Sequence, residues 1–299
     1  MSDIIPKENV YFSDRSDDYQ LAQRCPVWFG VPSLVAPLLK HCETTGSTPE
    51  WVQSMWAGVE PLVMEGMPTS YRLTNMRGIF NDAIAEYVLG HILSHALHIR
   101  QHIQQTEGRQ WNNQLLPRRI GGGNTVVAIL GVGEIGSTVA RVCQQMGMKV
   151  YGYTRSSEGC PYVDRYFHTS LESMAPDVDY WVNVMPNTPQ TANILHKGVF
   201  ESMRQGTVII NVGRGSAIVE EDLYQALESG KVDTAILDVF RNEPLPLDSK
   251  LWSHPKVIIT SHTAAPTEPS DAVSIFVDNY QRFCANMPLR FQVDFQRGY

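Results

Sequence analysis

The sequence predicts an α/β protein in which a smaller α/β unit precedes a doubly wound, parallel sheet. Two observations carry the prediction. Between residues 125 and 260, short β-branched and apolar runs alternate with helical stretches, as strand–helix–strand crossovers require. Between the first such run and the first such helix stands Gly131-Val-Gly133-Glu-Ile-Gly136, a turn too rich in glycine for either element.

The strands are expected at residues 125–130, 149–153, 179–184, 207–212, 234–239 and 256–260. Several read as unbroken apolar runs, which suits strands covered on both faces. Helices are expected at 134–146, 197–203 and 220–229, the last stopped by Gly230 as a C-cap residue. Ahead of them, residues 27–30, 51–63 and 71–75 read as short elements of the smaller unit. One long helix is expected from about 82 to 105, ending near Gly108. Residues 115–124, with Pro117 and three consecutive glycines, read as a linker, and 271–285 as a helix that returns to the first unit.

Composition narrows the functional classes. A net charge of −7 without a basic block speaks against nucleic acid or an anionic membrane as partner. No apolar run approaches the roughly 20 residues of a membrane span. The first eighteen residues are polar and acidic, unlike a secretory leader. Five scattered cysteines without a Cys-x-x-Cys pair read as reduced thiols, which predicts a cytoplasmic protein.

The glycine turn has a chemical reading. In a strand–turn–helix context the first glycine makes the tight turn, the second admits a pyrophosphate to the backbone, and the third lets helix and strand close up. This is the dinucleotide fingerprint of a Rossmann domain, with a methyltransferase pocket as the competing reading. The next strand runs into Tyr153-Thr154-Arg155-Ser156-Ser157, with no acid before Glu158. An acid there would accept from the ribose 2′-hydroxyl of NAD, whereas Arg155 and the hydroxyls suit a 2′-phosphate. NADP(H) is therefore favoured, with NAD(H) possible.

Three later segments carry reactive side chains: Asn211-Val-Gly-Arg214-Gly215, Asp238-Val-Phe-Arg-Asn-Glu243-Pro, and Ser261-His262-Thr-Ala-Ala. Arg214 and His262 follow strand ends, and Glu243 lies a few residues beyond its strand. Ligands of such sheets bind at the strand ends. A guanidinium can anchor a carboxylate, an imidazolium can donate a proton, and a carboxylate beside it fixes its tautomer.

With Pro186-Asn-Thr-Pro-Gln-Thr191 ahead of them, these segments resemble the D-2-hydroxyacid dehydrogenase family, most of all its bacterial glyoxylate/hydroxypyruvate-reducing members. The likeness runs from about Pro26 to Tyr299 and is dense from 125 to 266. It implies a second, smaller flavodoxin-like substrate domain, made of residues 1–92 with 270–299, beside a dinucleotide-binding domain of residues 93–269. It implies a catalytic set of Arg214, Glu243 and His262. Cofactor contacts would come from Gly131, Gly133, Glu134, Ile135, Gly136, Arg155, Ser156, Pro186, Thr191, Val212, Gly213, Asp238, His262 and Ala264, with Asp238 near the nicotinamide carboxamide. Trp56, Ala57, Gly58 and Val59, with Arg214 and His262, would bind substrate. The expected reaction is hydride transfer from NADPH to a small 2-keto acid in a homodimer, without a metal.

Three departures stand out: Ser261 replaces the usual proline before the histidine, Glu60 replaces an aspartate, and residues before about Pro26 supply no clear first strand and helix. Two other readings stay open, a dehydrogenase for a bulkier keto acid and a nucleotide-sensing module without catalysis. His91, His95, His98 and His102 would share one face of a continuous helix, where a subunit interface is expected ahead of a metal site.

Overall fold

The computed structural model describes residues 10–155 and 157–298. Ser156, expected to touch the cofactor, lies outside them. The chain divides into two compact units, Met1–Ile79 with Thr267–Tyr299, and Phe80–Pro266.

The second unit is built on seven parallel strands: β4 (Val126–Leu130), β5 (Lys149–Tyr153), β6 (Arg165–Phe167), β7 (Tyr180–Asn183), β8 (Thr207–Asn211), β9 (Val232–Leu237) and β10 (Val257–Ile259). Their spatial order is β10-β9-β8-β7-β4-β5-β6, so the winding reverses on either side of β4. The six expected strands form with ends shifted by at most two residues. The edge strand β6 was not expected, because three residues carry too short a pattern to read. Central strands are covered on both faces, and every residue of β7 and β8 is buried, which is why their sequences do not alternate. Trp181, Ile209, Leu223, Leu227 and Leu237 belong to one continuous core. Helices α6 (Glu134–Gln145), α7 (Lys197–Ser202) and α8 (Glu220–Glu228) lie where the sequence places them.

The long helix is two helices. α4 (Asn81–Ala96) buries Ile84, Val88 and Ile92, while α5 (Ile99–Glu107) buries nothing. Between them His98 takes a left-handed φ of 54°, and the Arg118 N–H donates to the Ala96 carbonyl at 2.8 Å. The chain's return thus satisfies a carbonyl that a continuing helix would have used. The apolar spacing runs on through Ile99 and Ile103, but both are exposed. α4 packs against α6, with an Arg141–Asp82 ion pair at 3.5 Å. All of α4 therefore belongs with the large sheet, and the division falls at Phe80 rather than inside the helix at 92/93. At the other end it falls at Thr267, not 270.

The break also divides the histidine stripe. His95 bridges the Tyr180 hydroxyl at 2.9 Å and Asp233 at 3.0 Å, and His91 lies against the Tyr87 ring at 4.4 Å. Burial holds the His91 imidazole below its ordinary value. These two face their own sheet, and His98 and His102 lie beyond the break, so no single four-histidine face forms.

The first unit has a three-stranded parallel sheet in the order β1-β2-β3, from β1 (Val27–Gly30), β2 (Trp51–Ser54) and β3 (Arg72–Thr74). Helices α1 (Tyr19–Ala22), α2 (Pro32–Thr45) and α3 (Glu60–Val63) accompany it, and α9 (Pro269–Cys284) returns to it as expected. Phe276 of α9 stacks on Phe29 at 4.7 Å and on Trp51 at 5.4 Å. Among the described residues no helix is long and apolar enough to cross a membrane.

Candidate active site

Each glycine of the turn after β4 has its own constraint. Gly131 has φ +97°, a conformation that side chains disfavour. A Cβ on Gly136 would sit 2.0 Å from the Gly131 carbonyl oxygen, so only glycine lets α6 start this close to the strand. Gly133, the N-cap of α6, has open space where a Cβ would stand. Open space over a backbone that begins a twelve-residue helix suits an anionic pyrophosphate. Glu134 and Ile135 form the first turn beside it. The Gly131 N–H donates to the Tyr153 carbonyl at 2.9 Å, which sets the end of β5 next to the turn. Arg155 is exposed there, two residues past the strand.

Farther along the same strand ends, Pro186–Thr191 closes on itself. The Thr191 hydroxyl donates to the Pro186 carbonyl at 2.6 Å. The Val212 N–H donates to the Asn183 carbonyl at 3.1 Å. The Gly213 N–H donates to Asn211 Oδ1 at 3.3 Å, and Asn211 also accepts from the Asn183 amide at 2.8 Å. Arg214 follows, half-buried, its Nη1 donating to the Gly213 carbonyl at 2.8 Å. A Cβ on Gly215 would lie 1.9 Å from the Phe240 carbonyl carbon. That close approach lays the segment after β8 directly against the segment after β9, which carries Glu243.

Glu243 and His262 meet. His262 Nδ1 lies 2.7 Å from Glu243 Oε2, and Glu243 Oε1 accepts from the Phe240 N–H at 2.9 Å. A carboxylate accepts, so Nδ1 donates, and Nε2 is left as the nitrogen that can face a ligand. The imidazole is 55% exposed, so its ring is open to solvent. His262 has φ +57°, which a side chain adopts at a cost in strain. Its turn is held by Asp238 throughout. The Asp238 carbonyl accepts from the His262 N–H at 2.8 Å. Its Oδ1 accepts from the Thr260 hydroxyl at 2.7 Å, the Thr263 N–H at 2.8 Å and the Ala264 N–H at 3.2 Å. Thr260 has one hydroxyl proton and gives it to Asp238. The 2.6 Å contact with Tyr87 therefore has the tyrosine donating, and burial raises that phenol to about 12. These bonds do the stiffening that proline at 261 would otherwise contribute.

In the other unit, the Trp56–Val59 loop is fixed from beneath. Ser54 Oγ accepts from the Trp56 N–H at 3.0 Å, and the buried Asn75 side chain donates to the Ala57 carbonyl at 2.7 Å. The Arg77 Nε donates to Asn75 Oδ1 at 3.0 Å. Val59 is buried and Trp56 half exposed. Sequence reasoning did not find Tyr87, Thr260, Asn75 or Arg77. Tyr87 and Thr260 are 173 positions apart and belong to no shared pattern.

As geometry, this is a dinucleotide-binding α/β sheet with an imidazole–carboxylate pair at its strand ends, the class of nicotinamide-dependent dehydrogenases. The model of the D-isomer specific 2-hydroxyacid dehydrogenase NAD binding domain matches residues 89–264, and the chain belongs to that family. Glyoxylate/hydroxypyruvate reductase A of Klebsiella pneumoniae is 37% identical over 174 residues, which are 58% of this chain and 56% of that protein. The chain thus aligns with little more than half the length of that curated relative. A solved D-isomer specific 2-hydroxyacid dehydrogenase family protein from Aeromonas salmonicida superposes with a TM-score of 0.86 at 38% identity, covering 95% of this chain and 90% of that one. The NADPH-dependent glyoxylate/hydroxypyruvate reductase of Sinorhizobium meliloti, solved with NADP and sulfate, gives 0.78 at 29% identity, over 84% and 80% of the two chains.

Proposed function

We propose that the chain, with NADPH, reduces glyoxylate to its achiral 2-hydroxy acid or hydroxypyruvate to the D-2-hydroxy acid. The observation that carries this reading is the 2.7 Å His262–Glu243 pair at the strand ends of the sheet that bears the glycine turn. The printed activity of the Klebsiella relative and the NADP of the Sinorhizobium structure support it.

The backbone of residues 131–136 would hold the cofactor's pyrophosphate, and Arg155 its 2′-phosphate. Asp238 Oδ2, which accepts from the Ala264 N–H at 3.2 Å, would take the carboxamide. NADPH supplies a hydride when bound. His262 delivers a proton from Nε2 to the carbonyl oxygen as the keto carbon is reduced, and recovers one from solvent. Glu243 balances the imidazolium and fixes the tautomer. The Arg214 guanidinium grips the substrate carboxylate and polarises the carbonyl.

The deciding experiment is NADPH and NADH oxidation with a panel of 2-keto acids, repeated on His262→Ala. The substitution should lower kcat by two to four orders of magnitude, in the range of general acid catalysis, with NADPH affinity nearly unchanged. A variant that keeps its turnover, or that loses NADPH instead, would sink the assignment. Preference for a branched or aromatic keto acid would move the substrate to the bulkier class.

The same proposal includes a homodimer and a reducing, cytoplasmic setting. The apolar side chains Leu97, Ile99, Ile103, Trp111 and Leu116 all stand exposed on and around α5, a surface that a second copy would cover. All five cysteines are free. A solution mass of one chain rather than two would refute the dimer.

A further inference from the structure

The end of β5 holds a second arrangement that the catalytic reading does not use. His168 follows β6, the edge strand, and both of its ring nitrogens face acceptors. Nε2 lies 2.7 Å from Glu158 Oε1, and Nδ1 lies 3.0 Å from the Thr154 carbonyl oxygen. Neither partner has a proton to give, so both contacts are complete only when both nitrogens carry hydrogen, as in the imidazolium. The bonds to Glu158 and then to Thr154 raise the His168 imidazole above its ordinary value. The Thr154 N–H donates to the Phe167 carbonyl at 3.1 Å, and Thr154 Oγ1 donates to the Ser157 carbonyl at 2.8 Å. The segment that follows β5 is therefore tied to the end of β6.

Topology gives the tie its meaning. β5 lies between β4, which leads into the glycine turn, and β6, which leads into His168. Glu158 is the first acid after the fingerprint, 22 residues past Gly136, near the position from which a dinucleotide site takes its ribose carboxylate. A free carboxylate there would accept from a ribose 2′-hydroxyl and repel a 2′-phosphate. Here the carboxylate is drawn to the β6 side.

We propose that His168 is a positioning residue for coenzyme choice: it holds the Glu158 carboxylate at the β6 edge, so that the site accepts a 2′-phosphorylated dinucleotide and forgoes the bond that would favour the unphosphorylated one. Arg155 supplies attraction, and His168 removes repulsion by restraining the acid three residues beyond it. The proposal rests on the reading of Thr154, Arg155 and Glu158 as the ribose end of the coenzyme site.

The test is the dissociation constant of NADPH and of NADH, by nucleotide fluorescence, for the full chain and for His168→Ala, Glu158→Gln, the double variant and Arg155→Ala. His168→Ala should weaken NADPH roughly tenfold and leave NADH level or tighter, a ratio change of about 1.4 kcal/mol. The double variant should regain most of the NADPH affinity, because the acid His168 restrained has lost its charge. An unchanged ratio in His168→Ala overturns the proposal, and so does a loss that persists in the double variant. A thermal melt of each variant separates binding from folding. Arg155→Ala tests the underlying reading by itself: if that ratio stays fixed, Arg155 is not the phosphate partner, whatever His168 does.

Discussion

The turn that carries His262 and the segment that carries Arg155 both follow strands of one sheet, yet they are held differently. Around His262, the buried Asp238 collects four hydrogen bonds through its carbonyl and Oδ1, and Tyr87 backs the arrangement through Thr260. Around Arg155, one partly exposed imidazole grips a segment whose acid is 62% exposed. The contrast fits the tasks proposed for the two segments. Proton transfer to a forming alkoxide tolerates little displacement, since about 1 Å of misplacement costs on the order of a hundredfold in rate. Attraction between a guanidinium and a phosphate falls off gently with distance and survives a mobile frame.

Substitutions can break this contrast. The largest effect is expected from Asp238→Ala, which strands the Thr263 and Ala264 N–H groups and leaves the Thr260 hydroxyl only Tyr87 to meet among its described partners. The Ala264 N–H is buried, and an orphaned buried donor costs about 1–3 kcal/mol, so the melting temperature should fall by a few degrees and kcat by a hundredfold or more. A variant that melts like the parent would show that the turn does not depend on Asp238. Tyr87→Phe removes only the outermost donor, and Thr260 still gives its proton to Asp238. A cost of about 1 kcal/mol and a loss of kcat below tenfold are expected, with KM for the keto acid unchanged. A loss as large as that of Asp238→Ala would mean that Tyr87 has its own contact with substrate. His168→Ala should be smallest in stability: its melting temperature should stay within about a degree of the parent, because that site is largely solvated. The two segments would then differ in stability as they do in geometry.

Much of the site was readable before any fold was in hand. The glycine spacing, the strand before it and the helix after it announce a dinucleotide turn, because each glycine answers a local steric demand. Arg214, Glu243 and His262 stand out by residue type and by their place beyond strand ends, and the family resemblance groups them into one expected set. The structure joins the last two directly and brings the segment of Arg214 against that of Glu243 through Gly215. The helix expected across 82–105 misled for an equally physical reason. Apolar periodicity continues past Ala96, but periodicity reports only which face is apolar. The break at His98 depends on the Arg118 segment arriving to bond the Ala96 carbonyl. The three residues of β6 were too few to show a period, and His168 was overlooked with them.

Local sequence alone determined six of the seven described strands of the large sheet, the coenzyme turn and the chemical kinds of side chain at the strand ends, since these follow from sterics and patterning within a few residues. Tertiary structure decided which acceptor each donor meets: Tyr87 with Thr260 across 173 positions, His262 with Glu243 across 19, His168 with Glu158 across 10. Such pairings depend on how crossovers bring distant strand ends together, and a one-dimensional pattern does not encode that proximity.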